Sequence, residues 1–109
     1  MSFNSGKTFK EMLDAAHQIA EEQWSVLEVP MQEVLDAERD ALRELASEWM
    51  RSGLSDKELD AKLEQIQQRF TAAVAKEVKA RDLRVDDDLL KRAVEAALNN
   101  YWKSLMEAL

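Results

Sequence analysis

Residues 86–109 read DDDLLKRAVEAALNNYWKSLMEAL, and on this stretch the fold turns. At the 100° per residue of an α-helix, Leu90, Val94, Ala97, Leu98, Tyr101, Leu105 and Ala108 fall on one face, and Trp102, Met106 and Leu109 widen it sideways. A face that wide needs neighbours on two sides, so the spacing predicts a helix set into a bundle. Asp86 stands where an N-cap belongs, and Asp87 and Asp88 place negative charge in the first turn, where free backbone amides favour it.

The preceding stretch opens with Ser55-Asp56-Lys57-Glu58, a capping box, flanked by Leu54 and Leu59 as a hydrophobic staple. Leu59, Leu63, Ile66, Phe70, Ala73, Val74 and Val78 then form a narrow stripe near the 3.5 period of a bundle seam, which predicts a helix at the core's edge with one side in water. Earlier still, Met31, Val34, Leu35, Leu42, Leu45, Ala46, Trp49 and Met50 keep helical spacing up to Gly53, which reads as a left-handed C-cap. A second capping box, Thr8-Phe9-Lys10-Glu11, precedes Met12, Leu13, Ala16, Ile19, Ala20, Trp24 and Leu27, leaving residues 1–7 as a loose tail.

Pro30 separates the first two stretches and disfavours helical geometry at Val29. Residues 9–51 as one rod would span about 64 Å, against about 39 Å for the next helix. The chain is therefore expected either to turn at Pro30 or to form one long kinked helix whose overhang a second subunit covers. The expected fold is an all-α antiparallel bundle of three to four helices, one domain over 1–109. Helices from 31–51 and 59–78 would flank Leu90, Val94, Ala97 and Tyr101, leaving Trp102, Met106 and Leu109 for the first helix, a second copy or a partner.

Composition agrees with this fold. Apolar residues make 46% of the chain and charged ones 34%, with 2 Gly and 1 Pro, far too few turn formers for an all-β fold. There is no Cys, which excludes disulfides and thiolate metal sites and fits a reducing, cytoplasmic setting. No run approaches the length of a membrane span and the first ten residues lack the apolar core of a secretory signal, so the chain is expected to be soluble and unexported. The net charge of −7 is uneven: up to Leu54 the balance is −6, with 5 basic residues against 11 acidic, and beyond it −1. An acidic first half argues against direct nucleic-acid binding, which needs a positive surface.

Motifs that carry chemistry are weak. Gly6-Lys7-Thr8 copies the end of a phosphate-binding loop, but the first Gly of that motif would fall on Met1 and no strand precedes it. Gly53-Leu54-Ser55-Asp56-Lys57-Glu58-Leu59 resembles the opening of the first helix in LuxR-type helix-turn-helix domains. That resemblance implies a recognition helix after a short turn, whereas residues 64–70 continue the helical stripe. Asp14 and His17 lie on one helical face, yet His17 is the sole histidine, so a transition-metal site cannot be completed. Asp86, Asp87 and Asp88 lack the Gly and distal Glu of a calcium loop. No pair among the 22 acidic residues stands out for acid–base work. Neither an enzyme nor a cofactor is expected.

Two surfaces remain as candidates for binding. Asp36, Asp40, Glu44 and Glu48 repeat every four residues and make an acidic ridge, with Glu33 beside it and Arg39 and Arg43 flanking. Like charges at that spacing oppose their own helix by about 0.2–0.5 kcal/mol per pair, as a docking surface for a basic partner would tolerate. Trp102, Met106 and Leu109 form an apolar edge, while Trp24 and Trp49 continue core stripes. The expected function is protein–protein interaction, as a regulatory or adaptor module that forms a homodimer. The alternative is an acidic inhibitor or nucleic-acid mimic occupying a basic site on a nucleic-acid-binding or toxin-like partner.

Overall fold

The computed structural model describes residues 4–51 and 53–108. It contains four α-helices: α1 (Ser5–Ala20), α2 (Trp24–Met50), α3 (Asp56–Ala80) and α4 (Asp87–Glu107), with a 3-10 turn, Glu21–Gln23, between the first two. No strand occurs among the described residues.

Helix α1 starts earlier than the Thr8 box predicts. Asn4 is the N-cap, its side chain accepting from the Lys7 amide at 3.0 Å, so residues 5–7 belong to the helix and not to a tail. Asn is among the strongest N-caps, and starting at Ser5 makes Thr8 a buried residue beside Phe9 on the core face.

The chain reverses at Glu21, not at Pro30. Glu21 takes φ 50° and ψ −117°, its amide closing α1 on the His17 carbonyl. Across the hairpin Arg43 Nε donates to Ser5 Oγ at 3.3 Å, and the Arg39 guanidinium lies 5.3 Å from the centre of the Phe9 ring. A straight rod from Ser5 to Met50 would be about 69 Å long. The whole molecule measures 42 Å along its longest axis. Pro30 sits inside α2 with its ring among the fully buried side chains, close in sequence to Leu27 and Met31, so core packing offsets the amide hydrogen bond that proline removes.

The other ends follow the expected chemistry more closely. Ser55 Oγ accepts from the Glu58 amide at 3.1 Å and Glu58 Oε1 accepts from the Ser55 amide at 3.3 Å, completing the capping box of α3. Asp86 caps α4 through its side chain, which accepts from the Asp88 amide at 2.9 Å. Helix α3 closes in a Schellman turn: the Leu83 amide donates to the Val78 carbonyl and the Asp82 amide to the Lys79 carbonyl, with Asp82 at φ 56°. Gly53 does not adopt a left-handed conformation. Its amide reaches back to the Glu48 carbonyl, and a Cβ there would stand 3.2 Å from that oxygen, so the bare Cα serves a close approach.

In cross-section the helices run up, down, up, down: α1 lies against α2 and α4, and α3 lies against the same two. Helices α1 and α4 form the closest pair. Small buried residues on both, Ala16 and Ala20 on one and Ala93 and Ala97 on the other, permit that approach. The flanks of α4 are thus α1 and α3. Helix α2, expected as a flank, reaches α4 across the bundle's diagonal, because the hairpin at Glu21 swings α1 into the neighbouring position. One core runs the length of the bundle, with Leu42, Leu59, Phe70, Val74, Val94, Tyr101 and Leu105 all fully buried.

Candidate functional site

Helix α4 carries the apolar edge. Tyr101, fully buried, anchors it: its hydroxyl donates to the Leu42 carbonyl of α2 across the diagonal. Burial pushes the phenol's pKa well up, and a backbone hydrogen bond with Ala46 offsets part of this. One residue further, 100° round the helix, Trp102 is 41% exposed. Met106 is half-buried and packs against the core from the same side. Leu109, the third member of the expected edge, lies outside the described residues. Trp24 and Trp49 are core residues, as their stripes predict.

The acidic ridge lies on the solvent face of α2, but the fold uses much of it internally. Arg81, the C-cap residue of α3, donates to Glu33 at 2.6 Å, Arg39 pairs with Asp36 at 3.0 Å, and Lys62 of α3 stands 4.0 Å from Glu48. Asp40 and Glu44 are exposed and, among the described residues, enter no ion pair. The flanking arginines turn towards α1: Arg39 and Arg43 both stack near the Phe9 ring, with centroid distances of 5.3 and 5.9 Å.

A two-pronged ion pair joins α2 and α3 at residues outside the expected site. Arg69 of α3 grips Glu38 of α2 with both limbs of its guanidinium, Nε to Oε1 at 2.8 Å and Nη2 to Oε2 at 2.5 Å. The Glu38 side chain is 12% exposed and that of Arg69 55%. The hydrogen bond to Glu38, and then its charge, hold the Arg69 pKa above the usual arginine value against a small loss from burial. Arg81 is raised likewise, first by its hydrogen bond to Glu33 and more weakly by Glu77. A sequence signal for Glu38 exists: it occupies an inward register position in the gap between Leu35 and Leu42, where an apolar residue is the rule.

The remaining motifs resolve into structure. Lys7 and Thr8 lie within α1, their amides bonded to Asn4, so no phosphate loop forms. Helix α3 runs unbroken from Asp56 to Ala80, which removes the turn a helix-turn-helix needs. His17 stacks on Trp24 across the hairpin turn, ring centres 5.0 Å apart and planes 12° from parallel. No group of three or more His, Cys, Asp or Glu able to hold a metal occurs among the described residues. Shallow grooves follow the helix seams, one of about 280 Å³ lined by Glu44, Glu48, Lys62, Gln65 and Arg69. No helix among the described residues is long and apolar enough to cross a membrane.

Fold and surface together define an antiparallel four-helix bundle with an apolar edge on α4 and a partly neutralised acidic face on α2. Comparison with protein-family models, with curated proteins and with solved structures finds no match.

Proposed function

We propose that this chain is a binding module that acts through protein–protein contact at the C-terminal edge of α4. One observation carries the reading: Trp102, 41% exposed, stands beside the half-buried Met106 on a bundle whose core closes without it. Trp and Met supply large, adaptable apolar area and are enriched at interface centres. The partner is a second copy of the chain or another protein presenting an apolar pocket, and the chain has no enzymatic role in this reading. Absence of Cys fits a reducing compartment such as the cytoplasm.

A second reading rests on Asp40 and Glu44, which have no ion pair among the described residues and present negative charge to a basic partner. It is the weaker one, because Glu33, Asp36 and Glu48 already have partners within the chain.

Salt separates the two. A contact centred on Trp102 survives about 1 M NaCl, where charges are screened beyond roughly 3 Å, while one centred on Asp40 and Glu44 weakens steeply. Sedimentation of the wild type and of Trp102→Ala across concentration and salt, with pull-down from the native cell, is the test. If the captured partner is retained by Trp102→Ala but lost on Asp40→Asn and Glu44→Gln, the acidic reading replaces the first.

A further inference from the structure

We infer that the α1–α2 hairpin is a hinge, and that α1 can open from its own bundle and dock on α4 of a second copy, giving a domain-swapped dimer in which α1 and α2 form one continuous helix. Three observations converge on the turn.

Its backbone is strained. Glu21 at φ 50° and ψ −117° occupies the first central position of a type II′ turn, a conformation in which Gly is favoured because a Cβ is crowded.

Its chemistry is that of a helix. Glu21, Glu22 and Gln23 are good helix formers, and neither the 3-10 turn nor α2 is opened by a side-chain cap, in contrast to the capped starts of α3 and α4.

Its apolar stripe is unbroken. Phe9, Met12, Ala16, Ala20, Trp24, Leu27, Met31 and Val34 are all buried, and their spacings of three and four pass through the turn without a phase shift. A straight helix from Ser5 to Met50 therefore keeps a single apolar face. A second copy related by a two-fold axis supplies each α1 with the α4 surface it leaves, so the core contacts are regained while the strain at Glu21 is released. The His17–Trp24 stack opposes opening, because residues seven apart in a straight helix stand about 10 Å from one another.

The occupant and the route are testable with cross-links. Lys10 and Asp36 line one groove between α1 and α2, and the chain contains no Cys, so Lys10→Cys with Asp36→Cys places two unique thiols face to face. The double variant is unfolded in urea, refolded at about 1 mM to favour association, and separated by size. A short bis-maleimide is then added to each fraction. Within a straightened helix the two sites of one chain lie about 39 Å apart, out of the linker's reach. The dimer fraction is expected to yield covalently joined chains on a denaturing gel, and the monomer fraction intrachain links.

Glu21→Gly should lower the dimer association constant about tenfold or more, since the left-handed conformation then carries no Cβ penalty in either chain. Glu21→Ala, which keeps the penalty and favours helix, should not lower it. Trp102→Ala should leave the swapped dimer unchanged, which separates it from any dimer formed through the α4 edge. No dimer after refolding at about 1 mM, a dimer with intrachain links only, or a Glu21→Gly dimer as stable as the wild type overturns the inference.

Discussion

Breaking the clasp between Glu38 and Arg69 tests how charge contributes to this bundle. Fully exposed ion pairs are worth about 0.2–1 kcal/mol, and removing one member of a buried pair costs about 3–5 kcal/mol. Here the carboxylate is 12% exposed and the guanidinium 55%, with two short hydrogen bonds between them. The half-exposed arginine keeps the pair out of the buried class, while the enclosed carboxylate and the fork geometry lift it above the surface class. A double-mutant cycle of Glu38→Ala and Arg69→Ala is therefore expected to give a coupling of about 1–2 kcal/mol in favour of the pair. Urea unfolding followed by circular dichroism measures it, at low salt and again at about 1 M NaCl, where about half should persist because Glu38 is shielded from solvent. Lys62 and Glu48, 4.0 Å apart with the carboxylate 35% exposed, serve as the internal comparison, with an expected coupling below about 0.5 kcal/mol. Equal couplings for the two pairs, or complete loss of the first in high salt, would refute the reasoning.

Tyr101→Phe removes the hydroxyl bonded to the Leu42 carbonyl and should cost about 1 kcal/mol, a drop in Tm of roughly 4–8 °C. Because burial raises the folded-state pKa of Tyr101 above its unfolded value, its contribution is complete below about pH 10 and is lost as pH rises further, by up to about 1.4 kcal/mol per pH unit; the phenylalanine variant should lack that part of the alkaline slope in stability. Asn4→Ala and Ser55→Ala should each cost about 1 kcal/mol in thermal or urea unfolding, since each removes a side-chain N-cap. Trp102→Ala should change stability by less than about 0.5 kcal/mol, and fluorescence quenching by acrylamide should lose its most accessible component, Trp24 and Trp49 being buried.

Much of the bundle is readable in residue order. Ser55 and Asp86 cap their helices as their positions imply, and the apolar stripes of α2, α3 and α4 are the residues found inside, apart from the half-buried Met50, Leu63 and Ala73. What escaped was decided by partners distant in sequence. Nothing in Glu21-Glu22-Gln23 marks a turn; the reversal follows from α1 packing on α4 some eighty residues on, which outweighs local preference. Pro30 reads as a breaker, yet its ring is wanted in the core. In the ridge from Glu33 to Glu48, nothing local announces that Lys62 of α3 and Arg81 at its C-cap stand opposite Glu48 and Glu33. The gap at Glu38 was the one local clue to the α2–α3 seam. The apolar edge was legible as a pattern, and of its two described members Trp102 is exposed and Met106 half-buried.

The seam between α2 and α3 has an evolutionary consequence. Glu33 with Arg81, Glu38 with Arg69 and Glu48 with Lys62 set acid on α2 against base on α3 and its C-cap, a local complementarity between two halves that are both net acidic, −6 and −1. Reversing the sign at one position alone sets two like charges against each other, whereas exchanging both members restores attraction. Lineages descending from this sequence should therefore drift in coupled steps along the seam, with positions 38 and 69 the most tightly tied, while Asp40 and Glu44 change freely unless a partner outside the chain constrains them.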